Sequence, residues 1–340
     1  MQAQSGTGPS VQRWPAAVDV PPARRRRLSR RVRWVVGVVL VLALLGGGGL
    51  AARNTGPDGR VAVAASGSGA AMELPWPDDG QASVAVPGIG SLGTSGEQKP
   101  VPIASVAKVM TAYVVLREHP LRQGESGPRI TVDQRAEDES HSLDESTVRV
   151  RAGQELTQRQ LLELLLLPSG NNAARLLARW DSGTERAFVE KMNHAAADLG
   201  MGRTTYTGAS GFEATTTSTA ADQLRLARAV MRDEVFRSVV ATPEVTVGDV
   251  TGTVANTNRL LGTSGVVGLK TGSSTPAGGA LMWAAETGDG HGKGLIIGVV
   301  LHQRANTTPA EGLRAAFESS RELITAAQRE LGEARAVRRA

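Results

Sequence analysis

Cysteine is absent from this 340-residue chain. That excludes thiol nucleophiles, thiolate metal ligands and disulfides together. Histidine is sparse, and the five present, at positions 119, 141, 194, 291 and 302, show no HxxxH or comparable metal-binding spacing. No metal site is expected from these residues. A net positive charge is also missing from most of the chain. The formal charge is +5, but residues 1–53 hold nine arginines against the single acid Asp19, leaving 29 bases and 32 acids beyond them. A body with that balance carries no polyanion footprint, so nucleic acid is not an expected partner. Lysine is the last scarcity: only five of the 38 basic residues are lysine. Arginine stays protonated at any pH a protein survives, whereas a desolvated lysine can lose its proton and serve as a base. Two of the five lysines fall in short patterns, Ser105-Val-Ala-Lys108 and Lys270-Thr-Gly272, and Ser169-Gly-Asn171 lies between them.

What is present organises the chain into segments. With 41% apolar residues the length allows one large domain or two. Residues 1–33 read as a disordered basic tail. From Trp34 to Ala52 runs an uncharged stretch long enough for a hydrocarbon core of about 30 Å. Arginines on its N-terminal flank predict that flank in the cytoplasm and everything after it outside. A cleaved secretory signal competes with this reading, since Gly49-Leu-Ala51 could serve as a small-x-small cleavage site. An uncleaved anchor in the cell membrane is favoured, because 33 residues before the apolar run is long for a signal. Residues 53–73, small and polar, read as a linker; 74–331 as a folded domain; 332–340 as a disordered tail.

Within the domain, periodicity predicts a strand over 81–86 entering a hairpin, then a helix over 105–118. Short strands are predicted at 129–132 and 146–151. Helices follow at 157–167, from the Ser169-Gly-Asn-Asn cluster through Trp180, at 185–199 and at 220–231. After Glu244, four apolar runs broken by glycine, 244–247, 265–270, 279–286 and 294–302, predict strands of an antiparallel sheet, because their links are too short for crossover helices. A last helix is expected over 309–331, packing on the sheet. The architecture is α/β in the α+β sense: an antiparallel sheet flanked by helices from both chain ends, with an inserted all-helical subdomain.

The three patterns carry chemistry only together. A serine hydroxyl needs a neighbouring base to become a useful nucleophile. At i and i+3 on a helix, Ser105 and Lys108 can touch, and burial or a second cation would lower the lysine pKa. Alone, each pattern has an ordinary reading: a capped helix, a helix N-cap, a turn after a strand. Their fixed order is what matters, since SxxK, SxN and KTG are the companion elements of the penicillin-recognising serine enzymes.

At this point PIASVAKVMTAYVVL, SGNNAARLLA, FVEKMNHAAADLGM, NTNRLL from Asn256 and VVGLKTGSSTPAGGALMWAA resemble segments of the D-alanyl-D-alanine carboxypeptidases, low-molecular-weight penicillin-binding proteins of serine peptidase family S11. The resemblance covers about residues 74–325, and the arginine- and alanine-rich style is similar to versions from high-GC Gram-positive bacteria. It implies the β-lactamase/penicillin-binding-protein transpeptidase-like fold. It further implies Ser105 as the acylated nucleophile, Lys108 as general base, Ser169 and Asn171 as proton relay and amide holder, and Lys270 with Thr271 as the carboxylate site. Gly272 and Ser273 complete the substrate-binding strand, with the amides of Ser105 and Ser273 as oxyanion hole. Arg304, in VVLHQR, resembles an arginine that reads the terminal carboxylate. The implied partners are peptidoglycan stem peptides ending in D-Ala-D-Ala, with β-lactams as inhibitors. Many relatives add a β-rich domain and a C-terminal amphipathic anchor; here the apolar segment 34–52 is expected to replace that anchor. Two other readings remain: a β-lactamase, for which no ExxxN-type loop is visible between Ser169 and Lys270, and a non-hydrolysing wall-binding or β-lactam-binding module.

Overall fold

The structure, a computed structural model, describes residues 73–288 and 294–339. All belong to one compact unit. The basic tail, the apolar span 34–52 and nearly all of the linker lie outside the described residues. Among those described, no helix is long and apolar enough to cross a membrane.

β1 (Gln81–Val86) and β2 (Gly90–Ser95) form the expected hairpin. β3 (Val101–Pro102) leads into a 3-10 turn, Ala104–Ala107, and helix α1 (Lys108–Glu118). Next come β4 (Arg129–Thr131), α2 (Gln134–Glu139), β5 (Glu155–Thr157), α3 (Gln158–Leu166), α4 (Asn171–Ser182) and α5 (Glu185–Asp198). β6 (Thr217–Ser218), α6 (Ala220–Val230) and α7 (Glu234–Val240) precede the hairpin of β7 (Glu244–Val247), α8 (Gly248–Thr251) and β8 (Gly252–Ala255). The chain closes with β9 (Val266–Ser274), β10 (Gly278–Glu286), β11 (Leu295–Gln303) and the long α9 (Pro309–Arg339).

The central sheet is antiparallel, in the order β2-β1-β11-β10-β9. The inner strands β10 and β11 are buried on both faces, which is why they read as continuous apolar runs, whereas the edge strand β2 is partly exposed. Side chains alternate between two cores with the period of two that a strand imposes. Met282, Ala284, Ile297 and Val299 face the helical block, while Leu281, Trp283, Ile296 and Val300 face α9. Opposite Trp283 in register stands Gly298, whose Cα touches the indole so closely that a Cβ there would lie 2.1 Å from the ring.

Four sequence expectations need correction. Residues 146–151 are extended but pair with no strand: the Val148 amide and carbonyl bond instead to the two ends of the Asn172 side chain, at 3.0 and 2.8 Å, and the Asn171 amide takes the Ser146 carbonyl. The strand that pairs with β4 is β5. β7 stands outside the central sheet, because the chain reverses at once through α8 and Gly252 (φ +69) and β7 pairs with β8. α2 and α7 were not anticipated; each is six or seven residues long and capped by an aspartate, Asp133 or Asp233, accepting from a backbone amide of the first turn. The last helix continues to Arg339, well past Leu331.

The helical block brings two N-termini together. α1 and α4 pack against each other, and their far ends are tied where Asp181, wholly buried, meets His119 at 3.0 Å and Lys191 at 2.7 Å. With that end fixed, the residues preceding both helices meet beside the edge strand β9.

Candidate active site

Ser105 lies half-buried in the 3-10 turn, and Lys108 opens α1 directly behind it. The Lys108 ammonium group is fully buried and has three partners: Ser105 Oγ at 2.9 Å, Asn171 Oδ1 at 2.5 Å and the Ser210 carbonyl at 2.8 Å. None is a carboxylate. Burial therefore pushes its pKa well below the ordinary lysine range, helped by the positive charges of Lys270 and Arg175 and opposed by Glu145 and Glu213. An amine that gives up its proton this readily, 2.9 Å from a serine hydroxyl, is placed where it could accept the hydroxyl proton.

The segment bearing Ser210 is bolted to α1. Thr111 Oγ1 donates to the Ala209 carbonyl at 2.6 Å, and Gly211 (φ +76) lies so close to Ala104 that a Cβ would sit 2.1 Å from its carbonyl oxygen. Opposite, Pro168 stops α3, and Ser169 turns the chain with φ +69, a conformation sparsely populated for a residue other than glycine. Such a conformation persists only when its surroundings enforce it. Here the Leu167 carbonyl accepts from both the amide and the hydroxyl of Thr257, and the Gly170 amide bonds to the Leu164 carbonyl. Among the described residues, the buried Ser169 Oγ has no partner, an acceptor and donor held ready for something that enters.

β9 supplies the third wall. Lys270 is fully buried, its Nζ donating to the Thr271 carbonyl at 3.1 Å, and burial lowers its pKa to about 7. Thr271 Oγ1 meets Thr257 Oγ1 at 2.7 Å, which links the strand to the Ser169 turn. Gly272 presses on the nucleophile turn: a Cβ would lie 3.0 Å from the Ile103 carbonyl oxygen and 3.1 Å from the Ser105 amide nitrogen. A side chain there would force the turn to give by a few tenths of an ångström, so glycine keeps the approach close.

Residues 92–305 match the Peptidase S11 family, described as D-alanyl-D-alanine carboxypeptidase. The chain belongs to the S11 family. Among its relatives is the D-alanyl-D-alanine carboxypeptidase of Streptomyces sp. strain K15, 36% identical over 213 residues that cover 58% of this chain and 71% of the relative. A D-alanyl-D-alanine endopeptidase of Pseudomonas aeruginosa is also 36% identical, over 188 residues covering 54% of this chain and 58% of that protein. The crystal structure of the Streptomyces K15 DD-transpeptidase superposes with a TM-score of 0.66 at 28% identity, covering 75% of this chain and 98% of that one. The penicillin-binding-protein fold is thus the fold of this chain.

Within this S11 site, direct contact joins Ser105, Lys108 and Asn171, and packing joins Gly272 to them. Thr271 reaches the Ser169 turn through Thr257. Ser273 follows Gly272 on β9, opposite Gly279. Arg304 stands apart: it is exposed just past β11, with φ +50, its amide donating to Asp79 Oδ2 at 2.6 Å. Among the described residues its guanidinium makes no hydrogen bond or ion pair to the others. Its neighbours Gln303 and Ala305 do close on Gly278, which pairs with Ser274, so it belongs to the same end of the sheet as the KTG strand.

Four contributors were not singled out in the sequence: Ser210, Thr257, Glu145 and Arg175. Asn171 Nδ2 donates to Glu145, which also receives both terminal nitrogens of Arg175. Two of them had a cue: Thr257 lies in the NTNRLL segment, and Arg175 lies in SGNNAARLLA at i+4 from Asn171 on one helix face.

Proposed function

We propose that this protein removes the terminal D-alanine from peptidoglycan stem peptides through an acyl-enzyme on Ser105. The observation that carries this reading is the buried, carboxylate-free Lys108 amine 2.9 Å from the Ser105 hydroxyl. Lys108 takes the hydroxyl proton as Ser105 Oγ attacks the carbonyl carbon of the penultimate residue. The amides of Ser105 and Ser273 receive the developing oxyanion, each such donor worth about 3–4 kcal/mol in the transition state. Ser169, with its unpartnered hydroxyl, relays the proton to the departing D-alanine amine. Lys270, Thr271 and Arg304 hold the substrate carboxylate at the end of β9. Water then takes the leaving group's place and the same base activates it.

A β-lactam acylates Ser105 by opening its ring, but its leaving nitrogen stays tethered, so the adduct blocks the water and persists. Transfer of the acyl group to an amine in place of water is the second reading, favoured by the match to the K15 structure described as a DD-transpeptidase. Both share the acyl-enzyme. We further infer that residues 34–52 anchor the protein in the cell membrane with the catalytic domain outside.

The test is release of D-alanine from diacetyl-L-Lys-D-Ala-D-Ala, with and without an added amine acceptor, together with a penicillin adduct visible by mass. Ser105→Ala removes both. Absence of both from the wild-type protein sinks the proposal, and rapid penicillin turnover without a lasting adduct favours a β-lactamase.

A further inference from the structure

The base is held by more than the two helices. Arg175 donates to Glu145 through both terminal nitrogens, at 3.0 and 2.8 Å, and the two side chains are only 10% and 11% exposed. Glu145 Oε2 also accepts from Asn171 Nδ2, and Asn171 Oδ1 accepts from Lys108 Nζ at 2.5 Å. An asparagine amide has a donor end and an acceptor end exchanged by a half-turn, whereas an ionised carboxylate can only accept. Glu145 therefore dictates which end of Asn171 faces Lys108.

That choice matters for proton inventory. A neutral lysine amine has two N–H bonds and one lone pair. Asn171 Oδ1 and the Ser210 carbonyl, both acceptors, occupy the two N–H bonds. The lone pair is left for the Ser105 hydroxyl. With Asn171 reversed, its own N–H would compete with that hydroxyl for the lone pair. We propose that the Glu145–Arg175 ion pair is a positioning device that locks the Asn171 amide so that the Lys108 lone pair points at Ser105. This rests on the reading of Lys108 as the general base.

Arg175 has two parts in this. Burial would raise the Glu145 carboxyl, but the guanidinium fork and the Asn171 amide outweigh it and hold the group below the usual carboxylate range, so the acceptor stays ionised. The pair also balances charge at the base. The charged groups acting on Lys108 are Lys270 from β9, Arg175 from α4, Glu145 from the loop after α2 and Glu213 from the loop after Ser210; the cations lower its pKa and the carboxylates raise it.

A pair that merely tied the 140–147 loop to α4 would leave the pH dependence of acylation alone. The experiment is stopped-flow acylation of the intact protein by a fluorescent penicillin across pH, for wild type, Glu145→Gln, Arg175→Gln and Glu145→Asp. Glu145→Gln frees the amide to reverse, so the plateau acylation rate is expected to fall about 10- to 100-fold with the preceding binding constant unchanged. Because it strips a negative charge and leaves Arg175, its acid limb moves to lower pH. Arg175→Gln leaves an unbalanced carboxylate, and its limb moves to higher pH. Glu145→Asp keeps an acceptor-only group and the wild-type limb. Wild-type rates and limbs in both glutamine variants, or limbs moving the same way, would overturn the inference. Should Glu145→Gln not fold, Glu145→Asp decides: a limb displaced as by charge loss overturns it. A wild-type protein that is not acylated overturns the reading of Ser105 and this inference together; an acylated wild type beside an indifferent Glu145→Gln overturns the inference alone.

Discussion

Lysine is rare here, and its described members divide by their partners. Lys99 and Lys191 are ordinary cations, paired at 2.6 Å with Glu97 and at 2.7 Å with Asp181. Lys108 and Lys270 are fully buried, and neither is bonded to a carboxylate. A buried ammonium without a counter-charge is costly, so the proton leaves first. Replacing Lys108 by Met keeps the volume and removes the base, and acylation by penicillin should fall about 10²–10⁴-fold. Lys108→Arg should fall as far, since a guanidinium cannot accept the serine proton; acylation at the wild-type rate in either variant would place the base elsewhere. The sign of the pH dependence follows. Attack needs neutral Lys108, so acylation rises with pH through a pKa that burial, Lys270 and Arg175 have lowered. Lys270→Gln removes one of those cations, and the acid limb should move to higher pH; a limb that stays or falls contradicts the coupling. Ser105, Lys108, Asn171 and Lys270 were legible because each sits in a short local pattern. Ser210 and Glu145 were not: Ser210 meets Lys108 across 102 residues, Glu145 is linked to it through Asn171, and no spacing announces such links.

At the scale of elements, glycine positions decide how closely helix and sheet approach. Gly312 lies in the first turns of α9, where alanine would gain about 1 kcal/mol of helix propensity. A Cβ there, however, would lie 2.4 Å from the Gly279 amide nitrogen and 2.6 Å from the Gly278 carbonyl carbon. Both are backbone atoms of β10 and cannot swing away, so Gly312→Ala should destabilise by about 1–3 kcal/mol. Because Gly278 and Gly279 stand opposite Ser274 and Ser273, the shift should also slow acylation. Gly332, exposed near the end of the same helix with nothing within 4 Å of its added Cβ, should gain from the same change. Thermal melts of the two variants ought to move in opposite directions; a shared direction would show propensity or packing acting alone. The same contrast explains which elements could be read in advance. β10 and β11 are continuous apolar runs between glycine breaks, and α3 announces its start with the Thr157–Gln160 capping box. Residues 146–151 have strand-like composition, but Asn172 satisfies the backbone that a neighbouring strand would have taken.

For the molecule as a whole, every described residue of the site lies in the unit that begins at Asn54. Ser105, the α4 N-terminus and the KTG strand all fold there, and the cores on both faces of the sheet are closed by described residues of that unit, from Leu74 to Leu331. Chemistry and attachment to the membrane should therefore be separable. A chain starting at Asn54 is expected to fold, to be acylated by penicillin at the wild-type rate and to stay in the soluble fraction, because the nine arginines and the apolar stretch 34–52 have been removed. The full chain should sediment with membranes, and in intact cells an external protease should reach its catalytic domain, as the arginine flank predicts. The mass of the mature N-terminus then separates an anchor from a cleaved signal. If the full chain and the shortened one were equally soluble and both began at their encoded residues, the membrane reading would fall while the acyl-enzyme reading stood, since every residue assigned to it here lies after Asn54.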